Sequence, residues 1–183
     1  MHGLIFAELR KYVEDRLGTG SWKKLTETAG LGNKSYLSSL VYPDEEVGAL
    51  VTTASNLTGI PAQTLLEDFG AFIAPDLVGM FRSLLKTTWR TIDVIDHTEE
   101  TIHKVVRTGH PGAQPPELRT KRDRPDQVTV IYSSPRKLCS IAKGICKGMA
   151  THFGETIAIE EETCMLTGAT ECRLVVRLVT APM

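Results

Sequence analysis

No part of the 183-residue chain is apolar over a membrane-spanning length. Its start, Met1-His2-Gly3-Leu4-Ile5-Phe6-Ala7-Glu8-Leu9-Arg10, lacks the charged-then-apolar layout of a signal peptide. A cytoplasmic protein is therefore expected. Net charge is nearly absent as well. Against 21 Lys and Arg stand 22 Asp and Glu, leaving −1, and a pI near 6.5, so there is no bulk attraction to nucleic acid or to an anionic membrane. Internal repeats and low-complexity tracts are missing. Cysteine is scarce, and in a reducing compartment Cys139, Cys146, Cys164 and Cys172 are expected as free thiols or metal ligands rather than disulfides. Gly30-Leu31-Gly32-Asn33-Lys34-Ser35 lacks the glycine a phosphate loop needs before its lysine, and no strand leads into it. Asn56-Leu57-Thr58 has the form of a glycosylation sequon, but it lies in a helical pattern of a chain without a secretory signal.

What is present is enough apolar material, 42% of residues beside 23% charged, for one well-cored domain or two small subdomains sharing a core. The first half reads as helices. Leu4, Ile5, Leu9, Tyr12, Val13 and Leu17 form a stripe that Gly18 can end, and Ser21 caps a short helix from Trp22 to Ala29. Pro43, followed by Asp44, Glu45 and Glu46, begins a helix running toward Gly59. Pro61 begins another with Leu65, Leu66, Phe69 and Ile73 apolar, and Pro75 reads as a boundary. Helical stretches follow around 77–85 and 89–107. Residues 109–126, rich in Pro, Gly and Arg, read mostly as loop. After them come a strand at Val128, a helix from Pro135 to about Phe153, and strands at 156–161 and 172–179 joined by a turn at Leu166-Thr167-Gly168-Ala169-Thr170.

Three groups of residues carry chemistry. In Tyr132-Ser133-Ser134-Pro135-Arg136 a strand stops at the mouth of a helix. If the chain stays extended, its period of two puts a phenol, a hydroxyl and a guanidinium on one face, a fork for carboxylates. The plainer alternative is an ordinary helix start capped by Ser134, with a solvated arginine. Among five histidines, His103 falls at about 20° from Ile92 on a helical wheel, at the edge of the apolar face of Ile92, Ile95, Ile102 and Val106. Such a residue is either a satisfied structural histidine or a ligand. His97 falls on the far side, His2 at a flexible end and His110 in a loop, while His152 near the later apolar stripe is a rival. Cys164 and Cys172 would face each other across the last hairpin, close enough to share a metal, with Cys139 as a third ligand. Cys146 shares a helix face with Cys139 but is roughly 10.5 Å along the axis, awkwardly far for one tetrahedral ion.

Tyr-x-Ser-x-Arg at 132–136, His103 in Thr101-Ile102-His103-Lys104-Val105-Val106-Arg107, Gly112-Ala113-Gln114-Pro115-Pro116 and the opening Met1-His2-Gly3-Leu4-Ile5 together resemble the haem nitric oxide/oxygen binding (H-NOX) family, bacterial stand-alone type. The resemblance covers essentially the whole chain. It implies an α+β fold in a single domain, residues 1–183, with a helical lobe (approximately 1–60) and a larger lobe (61–183) of helices packed on a small antiparallel sheet, haem lying between them. It implies haem b as cofactor, His103 as axial iron ligand, Tyr132, Ser134 and Arg136 on the propionates, and Pro116 pressing on and distorting the haem. The pocket would be lined by Ile5, Leu9, Ile73, Leu138, Ile141, Ile145 and Met149.

Oxygen-binding members place a tyrosine where this chain has Ile141, so the resemblance implies a sensor of nitric oxide, which also binds carbon monoxide, and no enzyme. Nitric oxide would weaken the iron bond to His103 until it breaks and the lobes rotate. With the chain ending soon after Val179, the signal is expected to pass to a separate histidine kinase or cyclic-di-GMP enzyme. Some similar members carry zinc at a cysteine cluster, which makes zinc a second candidate cofactor. The alternatives are a thiol/zinc redox sensor using that cluster, or a haem-free ligand- or protein-binding module of related fold.

Overall fold

Helix α1 (Gly3–Leu17) starts where the His2 ring accepts a hydrogen bond from the Leu4 N–H and ends at Gly18, whose positive φ of 88° suits glycine. The computed structural model describes residues 1–179. Helix α2 (Ser21–Thr28) and helix α3 (Asp44–Thr58) follow; the three acidic residues in the first turn of α3 complement its dipole. Phe6, Leu9, Trp22, Leu25, Val47 and Leu50 from these helices form one core, which Phe69, Ile73 and Ile141 complete from further along the chain.

Helix α4 (Ala62–Met80) runs straight through Pro75, so the expected boundary there does not exist. An internal proline removes one backbone hydrogen bond and crowds the preceding turn, a cost of about 3 kcal/mol. Tertiary packing outweighs it. Helix α7 (Cys139–His152) lies against α4 through glycines: a Cβ on Gly144 would collide with the Glu67 carbonyl, one on Gly148 with the Ala71 carbonyl, and one on Gly70 with the Ile141 carbonyl. Ala71 is four residues before Pro75, so its oxygen is the one that loses an amide donor. The Gly148 backbone covers that oxygen instead.

After a single 3-10 turn at Arg82–Leu84 come α5 (Thr91–Thr98), a π-helical turn at Glu99–His103 and α6 (Lys104–Gly109), one continuous rod across most of the expected 89–107 stretch. The expected loop at 109–126 is corrected in its second half. Glu117–Arg124 is strand β1, paired antiparallel with β2 (Gln127–Ser133). Its sequence hides this because β1 is an edge strand carrying Arg and Lys, with only Leu118 and Thr120 turned partly inward. Strands β3 (Ile157–Thr163) and β4 (Cys172–Leu178) complete an antiparallel sheet of order β1-β2-β4-β3. Between them the turn is a 3-10 segment at Met165–Thr167 ended by Gly168 at φ 101°. Val128, Val130, Leu174 and Val176 face a second core with Ala74, Val78, Ile92, Ile95 and Met149. Helix α4, which begins just past the expected division near residue 60, therefore serves both cores. Of the 61–183 span, residues 180–183 lie outside the described residues.

A cavity walled by α1, α4, α7 and the His103 helix

Strand β2 ends at Ser133, and the chain then turns rather than entering a helix. The Lys137 N–H bonds to the Ser134 carbonyl at 3.1 Å, Lys137 takes a positive φ of 51°, and α7 begins only at Cys139. Ser134 and Pro135 are thus neither cap nor first residue of that helix. The Ser134 hydroxyl accepts from the Arg136 N–H at 3.3 Å inside the turn. Although the chain does not stay extended, Tyr132, Ser134 and Arg136 still reach one cavity of about 240 Å³, because the turn swings Arg136 back toward the end of the strand.

His103 lines the same cavity, together with Pro115 and Pro116. Its Nδ1 lies 2.9 Å from Glu99 Oε2. Burial lowers the His103 pKa below its ordinary value, with the Glu99 carboxylate opposing. A neutral imidazole, the form that binds a metal, is thereby favoured. From the helices come Ile5 of α1 and Ile141, Ile145 and Met149 of α7, with Leu138 just before it. Leu9 and Ile73 do not reach it. Both are buried in the first core, and the lining positions on their helices are Leu4 and Ile5 on α1 and Leu77 on α4. Leu77 sits one turn beyond Ile73, so a one-turn offset along α4 explains the error. His152 is exposed beside Phe153 and does not line the cavity. His2, expected at a flexible end, caps α1, lines the cavity and meets the His110 ring edge-on at 4.5 Å.

The polar edge contains a residue the sequence did not single out. Asp44, first in α3, takes the N-terminal ammonium at 2.5 Å and lies 2.8 Å from Arg136 Nε. Burial works against its charge, but Arg136 and the ammonium hold its carboxyl below the usual range. Arg136 also donates to the Gln114 carbonyl at 2.5 Å. Its Nε is buried and makes no well-directed hydrogen bond, despite the nearby carboxylate. An orphaned guanidinium N–H beside a phenol and a hydroxyl, at the rim of an otherwise hydrocarbon-walled cavity, fits a flat apolar group bearing carboxylates.

The thiols divide. The Sγ atoms of Cys139, Cys164 and Cys172 and a carboxylate oxygen of Glu161 all lie within 4.8 Å of one another. Cys139 and Cys164 are 3.8 Å apart at sulfur, and Cys172 Sγ accepts from the Met165 N–H at 3.2 Å. Cys146 is not part of the group. It is buried in the second core, where desolvation pushes its thiol up to about 12.

The chain belongs to the haem-NO-binding family, whose model matches residues 2–161. These domains are haem-based sensors of diatomic gases rather than catalysts. Among curated relatives, soluble guanylate cyclase gcy-35 of Caenorhabditis elegans is 26% identical over 175 residues, covering 85% of this chain and 23% of its own length. Soluble guanylate cyclase gcy-31 of the same organism is 20% identical over 138 residues, covering 75% and 20%. The chain thus spans about a fifth of the length of the curated relatives it matches. An H-NOX protein from S. oneidensis, solved in an Fe(II)NO ligation state, superimposes with a TM-score of 0.91 at 28% identity, covering 98% of this chain and 100% of that one. The unliganded Fe(II) H-NOX protein from K. algicida shares the fold, with a TM-score of 0.86 at 23% identity, covering 100% and 99%. The α+β fold with its small antiparallel sheet is the H-NOX fold. Among the described residues, no helix is long and apolar enough to cross a membrane.

Proposed function

We propose that this chain is a haem-based nitric oxide sensor with His103 as the axial ligand of haem b. The observation that carries this reading is the convergence on one hydrocarbon-walled cavity of a neutral-leaning imidazole at one wall and the Tyr132, Ser134 and Arg136 donors at its rim. Haem b held there, with His103 on its iron, would supply a ferrous site for a diatomic gas. Tyr132 and Ser134 donate to one propionate, and Arg136 takes the other, exchanging its Asp44 contact for it. Pro116, in the cavity wall, would press on the ring and distort it. Ile5, Leu77, Ile141, Ile145 and Met149 exclude water and present no hydrogen-bond donor, which favours nitric oxide over dioxygen, with carbon monoxide also admitted.

His103 would hold the iron, and nitric oxide would act by weakening that hold. Loss of the His103 bond would free the rod formed by α5, the π turn and α6 to move against the sheet. The helical lobe, joined to the sheet side by Asp44 and Arg136 across the cavity mouth, then rotates and signals to a separate histidine kinase or cyclic-di-GMP enzyme in the cytoplasm.

The test is the absorption spectrum of protein purified with haem supplied, reduced without oxygen and then exposed separately to air and to nitric oxide. The expected result is a haem band that shifts with nitric oxide and forms no stable complex in air. Colourless protein would overturn the reading in favour of a haem-free binding module of related fold. A second role rests on the Cys139, Cys164, Cys172 and Glu161 group, which has the donor set and spacing for a zinc ion or for thiol redox sensing. One bound zinc per chain, lost on oxidation, is the expected outcome there.

A further inference from the structure

The carboxylate of Glu99 serves three partners at once. Oε2 accepts from His103 Nδ1 at 2.9 Å and from the Leu118 N–H at 3.1 Å, while Oε1 takes Arg107 at 2.6 Å. Arg107 in turn donates to the Pro116 carbonyl at 3.3 Å. With the Arg107 guanidinium at 2.6 Å and the Leu118 N–H donating at 3.1 Å, Glu99 is placed as a carboxylate that can only accept. Glu99 and His103 also bound the π-helical turn. The wider turn does not part them, since the side chains still meet.

We infer that Glu99 is the positioning residue of the iron ligand: it fixes the His103 proton on Nδ1, aims the Nε2 lone pair into the cavity, and makes the imidazole a stronger donor than a free one. This inference rests on the haem reading above. An acceptor-only partner on Nδ1 leaves one tautomer available, with the lone pair on Nε2. A carboxylate, unlike a backbone carbonyl, draws that Nδ1 proton strongly and adds electron density to the ring, which strengthens the bond from Nε2 to a metal. Glu99 would therefore strengthen the hold of His103 on the iron and oppose its loss.

The same carboxylate ties the ligand to the start of β1 through Leu118 and to the Pro115-Pro116 wall through Arg107. When His103 departs, Glu99 loses one of three partners and its hold on the first residues of β1 changes. This gives His103 a direct mechanical connection to the sheet.

The experiment uses the haem-loaded full chain. In resonance Raman spectra of the ferrous, gas-free protein, Glu99→Gln is expected to move the iron–histidine stretching band to lower frequency and to raise the haem midpoint potential. A purely structural role would move neither. Because loss of the Arg107 pair can disturb folding, a second measurement stands on an internal ratio. In His103→Gly protein, imidazole and 1-methylimidazole are titrated separately. Only imidazole retains an N–H to give Glu99, so it is expected to bind at least about 10-fold tighter, the usual scale for loss of such a partner. In the His103→Gly, Glu99→Gln double variant that preference is expected to shrink toward one.

A haem-loaded protein whose band, potential and ligand preference are all unmoved by Glu99→Gln overturns the Glu99 role and leaves the sensor reading standing. A chain that takes up no haem overturns both.

Discussion

Tyr132 and Cys172 are register partners on adjacent strands β2 and β4, and the buried Tyr132 ring packs in one cluster with Cys139 and Cys172. The phenol proposed for a propionate and the thiols proposed for zinc are thus two faces of one piece of core. Whatever binds or oxidises the thiols therefore acts on the cavity rim through direct contact.

Substitution within the thiol group should separate its members. Cys164→Ser is expected to abolish zinc binding measured by metal analysis after gel filtration. Cys146→Ser is expected to leave zinc unchanged, since Cys146 lies in the second core. Equal zinc content in the two variants would contradict the grouping.

Arg136→Ala is expected to lower haem retention, read as the rate of haem transfer to apomyoglobin. It removes the half-buried guanidinium that alone, among the described residues lining the rim, brings a full positive charge on its side chain. Arg136→Lys should recover only part of the loss, because a point charge cannot form the two parallel bonds of a guanidinium. Full retention in Arg136→Ala would mean that the fork is not used.

Gly144→Ala should destabilise the fold by about 1–3 kcal/mol, the usual range for overpacking. The added methyl would fall on the Glu67 carbonyl, and backbone cannot rotate away as a side chain can. Gly109→Ala, where a Cβ meets nothing within 4 Å, is the control. Denaturant unfolding of both variants decides it, and equal midpoints would refute the close α4–α7 contact.

The buried acids predict an alkaline limit. Burial raises the Cys146 thiol from 9.0 to about 12 and the Tyr132 phenol from 10.0 to about 12. Above the unfolded value the unfolded chain releases these protons while the folded chain keeps them, so stability is full below about pH 9 and falls as pH rises toward 12. Replacing Cys146 with Ala should flatten that decline by up to about 1.4 kcal/mol per pH unit within the window. Urea unfolding of the haem-free protein across this range is the measurement, and an unchanged slope would count against the buried neutral thiol.

The local signals were largely readable in the chain. An apolar stripe at helical spacing located α1, start signals at Ser21 and at Pro43 with its following acids located α2 and α3, and alternation located β2. Residue type and spacing marked His103, Tyr132, Ser134 and Arg136 as candidates but left a structural histidine and an ordinary helix start as alternatives; the resemblance to the H-NOX family is what singled them out. The failures were tertiary in origin. Pro75 reads as a stop in any isolated segment, and only the glycine-lined face of α7 allows α4 to continue through it. Strand β1 has almost no apolar pattern and exists because β2 offers it a ladder of backbone partners. Leu9 and Ile73 were assigned to the cavity when the folded lobe turns them into its own core.

What the sequence by itself determined was which residues are chemically able to act: one imidazole at an apolar edge, one phenol–hydroxyl–guanidinium run and four thiols. Periodicity carries that much because each element's pattern reports its own buried face. Which of them meet was decided only in three dimensions. Glu99 under His103, Asp44 beside Arg136 and Glu161 among the thiols are unremarkable acids in the chain, and exposed carboxylates are common. Asp44 and Glu161 gain their meaning from partners on other elements, at distances that no one-dimensional spacing encodes, whereas Glu99 stands at i,i+4 from His103, a spacing that carries meaning only once the histidine's role is known.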